Sequence, residues 1–80
     1  MKRISKNYNL KKMNSNKEDL LIQSFHALGM RKEAAMVAFT QLKTDRQAEA
    51  MFAWIEKHHK KNPSEEEIIQ VAERISELVP

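Results

Sequence analysis

Histidine is the side chain best suited to move a proton or hold a metal near neutral pH. This chain has three, with His58 and His59 adjacent and His26 far from them in sequence. Neighbouring residues on a helix point about 100° apart. No further His stands four positions away, and no Asp or Glu is placed to finish a tetrahedral set. The spacing therefore predicts no metal site, with His59 continuing the apolar edge of its helix and His58 and His26 facing solvent. Three consecutive carboxylates, Glu65, Glu66 and Glu67, resemble an acidic site. They cannot converge on one point of a helix, and paired-carboxylate chemistry needs two groups facing each other across a substrate. Their simpler role is electrostatic: they fall in a first helical turn, as Lys57, Lys60 and Lys61 fall in the last turn of the preceding helix, each favourable to the helix dipole. Ser24, Ser64, Ser76, Thr40 and Thr44 form no nucleophile elbow, and one glycine cannot build a phosphate-cradling loop. The expectation is a protein that is not an enzyme, with no catalytic residue, no cofactor, no metal and no small-molecule ligand. Zero cysteines rule out a disulfide framework.

Charge is unevenly placed. Residues 1 to 17 hold six of the fourteen Lys and Arg and no acid, whereas residues 18 to 80 hold eight bases against eleven acids. Basic character thus belongs to the start of the chain rather than to its body. Residues 1 to 14, rich in Asn and Lys, read as a flexible basic tail, with Tyr8 to Met13 able to lie against a single helical domain of residues 15 to 80. The basic start lacks the apolar run of a signal peptide, and no stretch is apolar enough to span a bilayer. A small soluble cytoplasmic protein without a membrane association is the resulting expectation.

The elements that position these residues are legible from caps and periodicity. A stretch from Arg46 to Lys61 contains the sole tryptophan and places Ala48, Met51, Phe52, Ile55 and His59 on one narrow arc. Before it, Ser15 with Glu18 forms a capping box for a first helix whose inner edge is Leu21, Phe25 and Leu28. That helix ends at Gly29, the only glycine, at a position suited to positive φ, with Met30 packing back on Phe25. A second helix turns Ala35, Ala38, Phe39 and Leu42 to one side and leaves Met36 and Val37 without a core to face. Thr44 and Gln47 make the next capping box after a connection of one or two residues, which favours a sharp corner over a regular up-down bundle. Asn62 caps the last helix with Pro63 at its first position, or else Ser64 pairs with Glu67. Ile68, Val71, Ala72, Ile75, Leu78 and Val79 follow as its apolar stripe. The predicted fold is all-α, a compact four-helix domain with helices near 16–28, 31–43, 45–61 and 63–79.

Leu28-Gly29-Met30, then Ala35, Ala38-Phe39, Ala48 and Met51-Phe52, resemble the loop and three-helix spacing of ubiquitin-associated domains over about residues 18 to 55. The resemblance implies a ubiquitin-facing patch at Leu28 to Met30 and the end of the third helix. Met30 stands where those domains carry an aromatic, and a fourth helix follows. From the residues themselves the leading expectation is a protein-interaction module, homodimeric or with another protein, whose surface includes Met36, Val37, Ala50, Ala53 and Trp54. The alternative is nucleic-acid binding, with a helix-turn-helix-like turn at Leu28 to Met30. Its contacts would be Lys2, Arg3, Lys6, Lys11 and Lys12 of the tail with Arg31 and Lys32.

Overall fold

Capping side chains and two left-handed residues set where each helix starts and stops. The computed structural model describes residues 12–80, which form α1 (Ser15–Ala27), α2 (Lys32–Gln41), α3 (Asp45–His58) and α4 (Glu65–Leu78), with a 3₁₀ turn at His59–Lys61 prolonging α3. The four-helix all-α architecture expected from the sequence is thus the observed one. Its caps differ in two places. Asn14, not Ser15, begins α1: its side chain accepts from the Lys17 amide at 2.8 Å while its carbonyl accepts from Glu18. Asn and Ser are equally good caps, and starting one residue earlier adds a backbone bond. At the other end of the chain Asn62 is left-handed, with φ of 51°, and terminates the 3₁₀ turn. It cannot also hold the extended backbone that a cap requires, so Ser64 begins α4 by accepting from the Glu67 amide at 3.1 Å, and Pro63 remains in the connection.

α1 closes as its single glycine suggests. Gly29 has φ of 89° and donates to the His26 carbonyl at 2.9 Å, while Met30 donates to the Phe25 carbonyl at 3.2 Å. This pair of bonds is the Schellman closure, and Met30 as the following residue is buried against the core. α2 has no side-chain cap of its own. Its first amide partner comes from another helix: the Arg31 N–H donates to Glu65 Oε2 at 2.6 Å.

Packing follows a ring. α2 lies most extensively on α4, α4 on α3, α3 on α1 and α1 on α2, whereas α1 does not pack on α4 nor α2 on α3. Leu21 and Phe25 of α1, Ala35 and Ala38 of α2, Ala48 and Met51 of α3, and Ile68 and Ala72 of α4 meet at the centre. Three alanines on α2, Ala34 included, let its backbone approach the neighbours closely. Met13 also enters this core, beside an isolated bridge between Lys12 and Thr44 and a Met13 N–H to Lys43 carbonyl bond of 3.4 Å. Lys12 to Asn14 therefore belong structurally with the helices, and the expected flexible tail falls mainly on residues 1–11, outside the described residues.

Gln47 is the buried polar side chain of this core, 7% exposed. Its Oε1 accepts from the Lys43 and Thr44 amides at 2.7 and 3.3 Å, and its Nε2 donates to the Val79 carbonyl at 2.8 Å and the Ser76 carbonyl at 3.5 Å. Thr44 completes the expected capping box, accepting from the Gln47 amide at 3.2 Å and donating through Oγ1 to the Pro80 oxygen at 2.6 Å. One residue thereby fixes the α2–α3 corner and the end of α4.

Two stability outcomes follow. A Cβ on Gly29 would meet nothing within 4 Å, so Gly29→Ala loses only backbone strain energy, roughly 1–2 kcal/mol. A D-alanine at the same site, which prefers that φ, should stabilise instead; chemical denaturation measures both. Gln47→Glu removes both donors and turns a carboxylate toward two carbonyls, so it should cost more than Gln47→Met, itself destabilising by roughly 1–3 kcal/mol through stranded backbone groups. Equal midpoints for the two variants would contradict the bonding scheme.

Candidate functional site

α3 and α4 form an antiparallel hairpin, since Gln47 at the start of α3 bonds to Ser76 and Val79 at the end of α4. The stripe on α4 is wider than its core contact. Ile68 and Ala72 are fully buried, but Val71, Ile75 and Leu78 flank them on the side toward α3. Ala50 and Trp54 of α3 face them. These residues, with Val79 and Arg74, line an open groove of about 250 Å³. Leu78 is 73% exposed there, the most exposed large apolar side chain among the described residues.

Trp54 packs partly against the core and is held from below by His58. The two rings stack with centroids 4.5 Å apart and planes 16° from parallel, and His58 Nδ1 lies 2.9 Å from the Trp54 carbonyl oxygen. With its hydrogen on Nδ1, the imidazole donates to that carbonyl and presents its face to the indole. His58 is consequently half-buried and His59 exposed, the reverse of the sequence expectation. The cause is the i, i+4 spacing within α3 that sets the His58 ring on Trp54, whereas His59, in the 3₁₀ turn, lies at the edge of a cleft beside Ile55.

Of the five expected interface residues, the structure brings Ala50 and Trp54 together in the groove and leaves Ala53 exposed on the same helix. Met36 and Val37 are 41% and 46% exposed but lie on α2, away from the α3–α4 groove, and neither lines it. The α4 half of the groove went unassigned as a site, because Val71, Ile75, Leu78 and Val79 read from the sequence as one uninterrupted core stripe. Only its width could have signalled otherwise: more apolar positions than one neighbour can cover.

The expected nucleic-acid contacts are dispersed. Lys2, Arg3, Lys6 and Lys11 lie outside the described residues, and Lys12 and Lys32 are exposed. Arg31 is paired: its guanidinium reaches Glu65 through Nε at 3.2 and 3.3 Å and Nη2 at 3.0 Å. Lys17, counted with the basic start of the chain, instead bridges α1 to α3, with Nζ 2.9 Å from both Asp45 Oδ1 and Glu49 Oε2. These hydrogen bonds, to Glu49 first and Asp45 next, hold the Lys17 pKa above its ordinary value. Met30 is buried, so the loop that resembles a ubiquitin-facing patch offers only Leu28 and Gly29.

A second cleft, about 240 Å³, is lined by Ser24, Leu28, Ile55, His59 and Asn62. Ser24 Oγ donates to the Leu20 carbonyl at 2.8 Å, which ties its proton to the helix backbone. Among the described residues no three His, Cys, Asp or Glu side chains are grouped to hold a metal ion, and no helix is long and apolar enough to cross a membrane.

Hydrogen bonds from the Arg31 side chain, then from its backbone amide, hold the Glu65 carboxylate below its ordinary pKa. A depressed carboxylate contributes stability above its unfolded value, about 4.3, that is lost as pH falls through the lower folded value. Glu65→Gln should therefore lower the thermal midpoint at pH 7 by more than at pH 3. A gap between the two proteins that stayed constant across that range would show the ion pair to be ineffective in solution.

The chain matches no protein-family model, no curated protein and no solved structure.

Proposed function

We propose that this domain is a protein-interaction module whose docking surface is the groove between α3 and α4, with Trp54 as its anchor. The carrying observation is the exposure of Leu78 opposite a half-buried tryptophan, across a groove whose walls are apolar. Ordinary folding would cover such a pair. A helix laid into a groove between two others uses apolar anchors spaced at i, i+3 or i+4 and i+7, and the groove presents about two helical turns of α4 for them. Tryptophan concentrates interface energy because it buries a large, rigid surface. Binding, rather than catalysis, is the use that this surface suits. Small Ala50 and exposed Ala53 beside Trp54 leave room for a partner backbone.

Two measurements test the reading. Leu78→Glu should leave stability within about 0.5 kcal/mol, since the side chain is already in water. A photo-crosslinking amino acid at Ala53 should capture a discrete partner in the cell of origin, whereas the same group at Glu33 on α2 should not. Adding Leu78→Glu should abolish the adduct at Ala53 while helicity is retained. Crosslinking at Ala53 no stronger than at Glu33 would overturn the groove as a docking surface.

A further inference from the structure

Resting on the groove reading, we infer that the occupant is an amphipathic helix with acidic flanks, Asp or Glu on either side of an apolar edge, contributed by a different protein. The rim carries the inference. Among the described residues Arg74 is the one charged residue lining the groove, it is exposed, and it has no ion pair. On α3, Arg46 is one turn before Ala50 and Lys57 three residues after Trp54, which puts both along the groove side of the helix, and both are exposed. Lys60 and Lys61 extend the positive field past the end of α3.

Acidic residues that could cancel this field are mostly turned elsewhere. Asp45 and Glu49 face α1 and hold Lys17, and Glu65 faces α2 and holds Arg31. Glu67, one turn before Val71, and Glu77, three residues after Arg74, are the acids on the groove side of α4, and Arg46, Lys57 and Arg74 with Lys60 and Lys61 outnumber them. Complementary charge is what steers and orients a partner on such a rim. The same field opposes a second copy of this chain: a two-fold pairing of α3/α4 faces would bring Arg46, Lys57 and Arg74 of each copy toward like charges. The concave, two-helix form suits a helix rather than a flat lipid surface, although cations around tryptophan and leucine would also attract an anionic bilayer.

The test pans a display library of amphipathic helical 16-residue peptides, with flanking positions randomised, against the full chain. Binders lost on Leu78→Glu are counted as groove-dependent, and Trp54 fluorescence follows their binding. The expected result is enrichment of Asp and Glu at the flanks, an affinity that falls with added salt, and at least a tenfold loss on combined Lys57→Glu and Arg74→Glu, which should select basic flanks instead. Circular dichroism on the same variants confirms that the fold is retained. Groove-dependent binders without an acidic preference would overturn the inference but leave the docking groove standing. No groove-dependent binder at all would overturn both. A Trp54 blue shift on phosphatidylserine vesicles, with acidic peptides unable to compete, would assign the surface to a membrane and also overturn the inference. Concentration-dependent dimerisation abolished by Leu78→Glu would replace the foreign helix with a second copy.

Discussion

Gln47 is the constraint on which the arrangement of the other elements rests. Its amide is taken out of water, and a buried amide is tolerable only when its hydrogen-bonding groups are met. Here the carbonyl oxygen answers two amides at the α2–α3 corner and the amino group answers two carbonyls at the end of α4. Sliding α4 along α3 by even one residue would strand several of these groups at once. Apolar contacts tolerate such a slide far better, because burial is non-directional. The hydrophobic core therefore supplies cohesion, while Gln47 and Thr44 supply register.

Ion pairs span two of the four seams in the ring of helix contacts. The backbones of α1 and α4 do not approach one another closely, and neither do those of α2 and α3. Lys17 joins α1 to α3 at the start of α3, and Glu65 joins α4 to α2 at the start of both. Glu65 also does for α2 what no residue of its own sequence does, since Arg31 offers no capping side chain. An isolated exposed pair contributes little. A pair that satisfies a helix N-terminus as well carries a backbone hydrogen bond with it. These contacts pair Asp45, Glu49 and Glu65 with Lys17 and Arg31 at the surface, while Arg46, Lys57 and Arg74 are in no ion pair among the described residues.

A small domain has limited means to cover its own apolar surface. α4 presents an apolar stripe too broad for a single neighbour, and α3 carries both an inward arc and Trp54. The core takes Ile68, Ala72 and Met51; the remainder meets along one edge and forms the groove. His58 braces the indole from beneath, which holds Trp54 in one position. Preorganisation of that kind lowers the ordering cost of association. Leu78, at the last turn of α4, is the most exposed part of that stripe.

By itself the sequence determined what local chemistry controls: four helices, the Gly29 closure, the Thr44–Gln47 box, and the division of α1 and α2 into buried and outward faces. These depend on backbone groups and side chains within a few residues of one another, where spacing settles geometry. Near misses occurred where two residues compete for one local role, Asn14 with Ser15 and Asn62 with Ser64, and one backbone bond or one left-handed residue decides. The tertiary structure alone decided which long-range partner each side chain meets. Nothing within α2 announces Glu65 as its cap, and a segment from Tyr8 to Met13 expected to lie against the domain does not by itself show that Met13 enters the core. The half-burial of His58 turned on the stacking of its ring against Trp54. The groove, too, is a product of packing: Trp54 and Leu78 are twenty-four positions apart, and periodicity records which face of a helix is apolar, never how much of that face a neighbour covers.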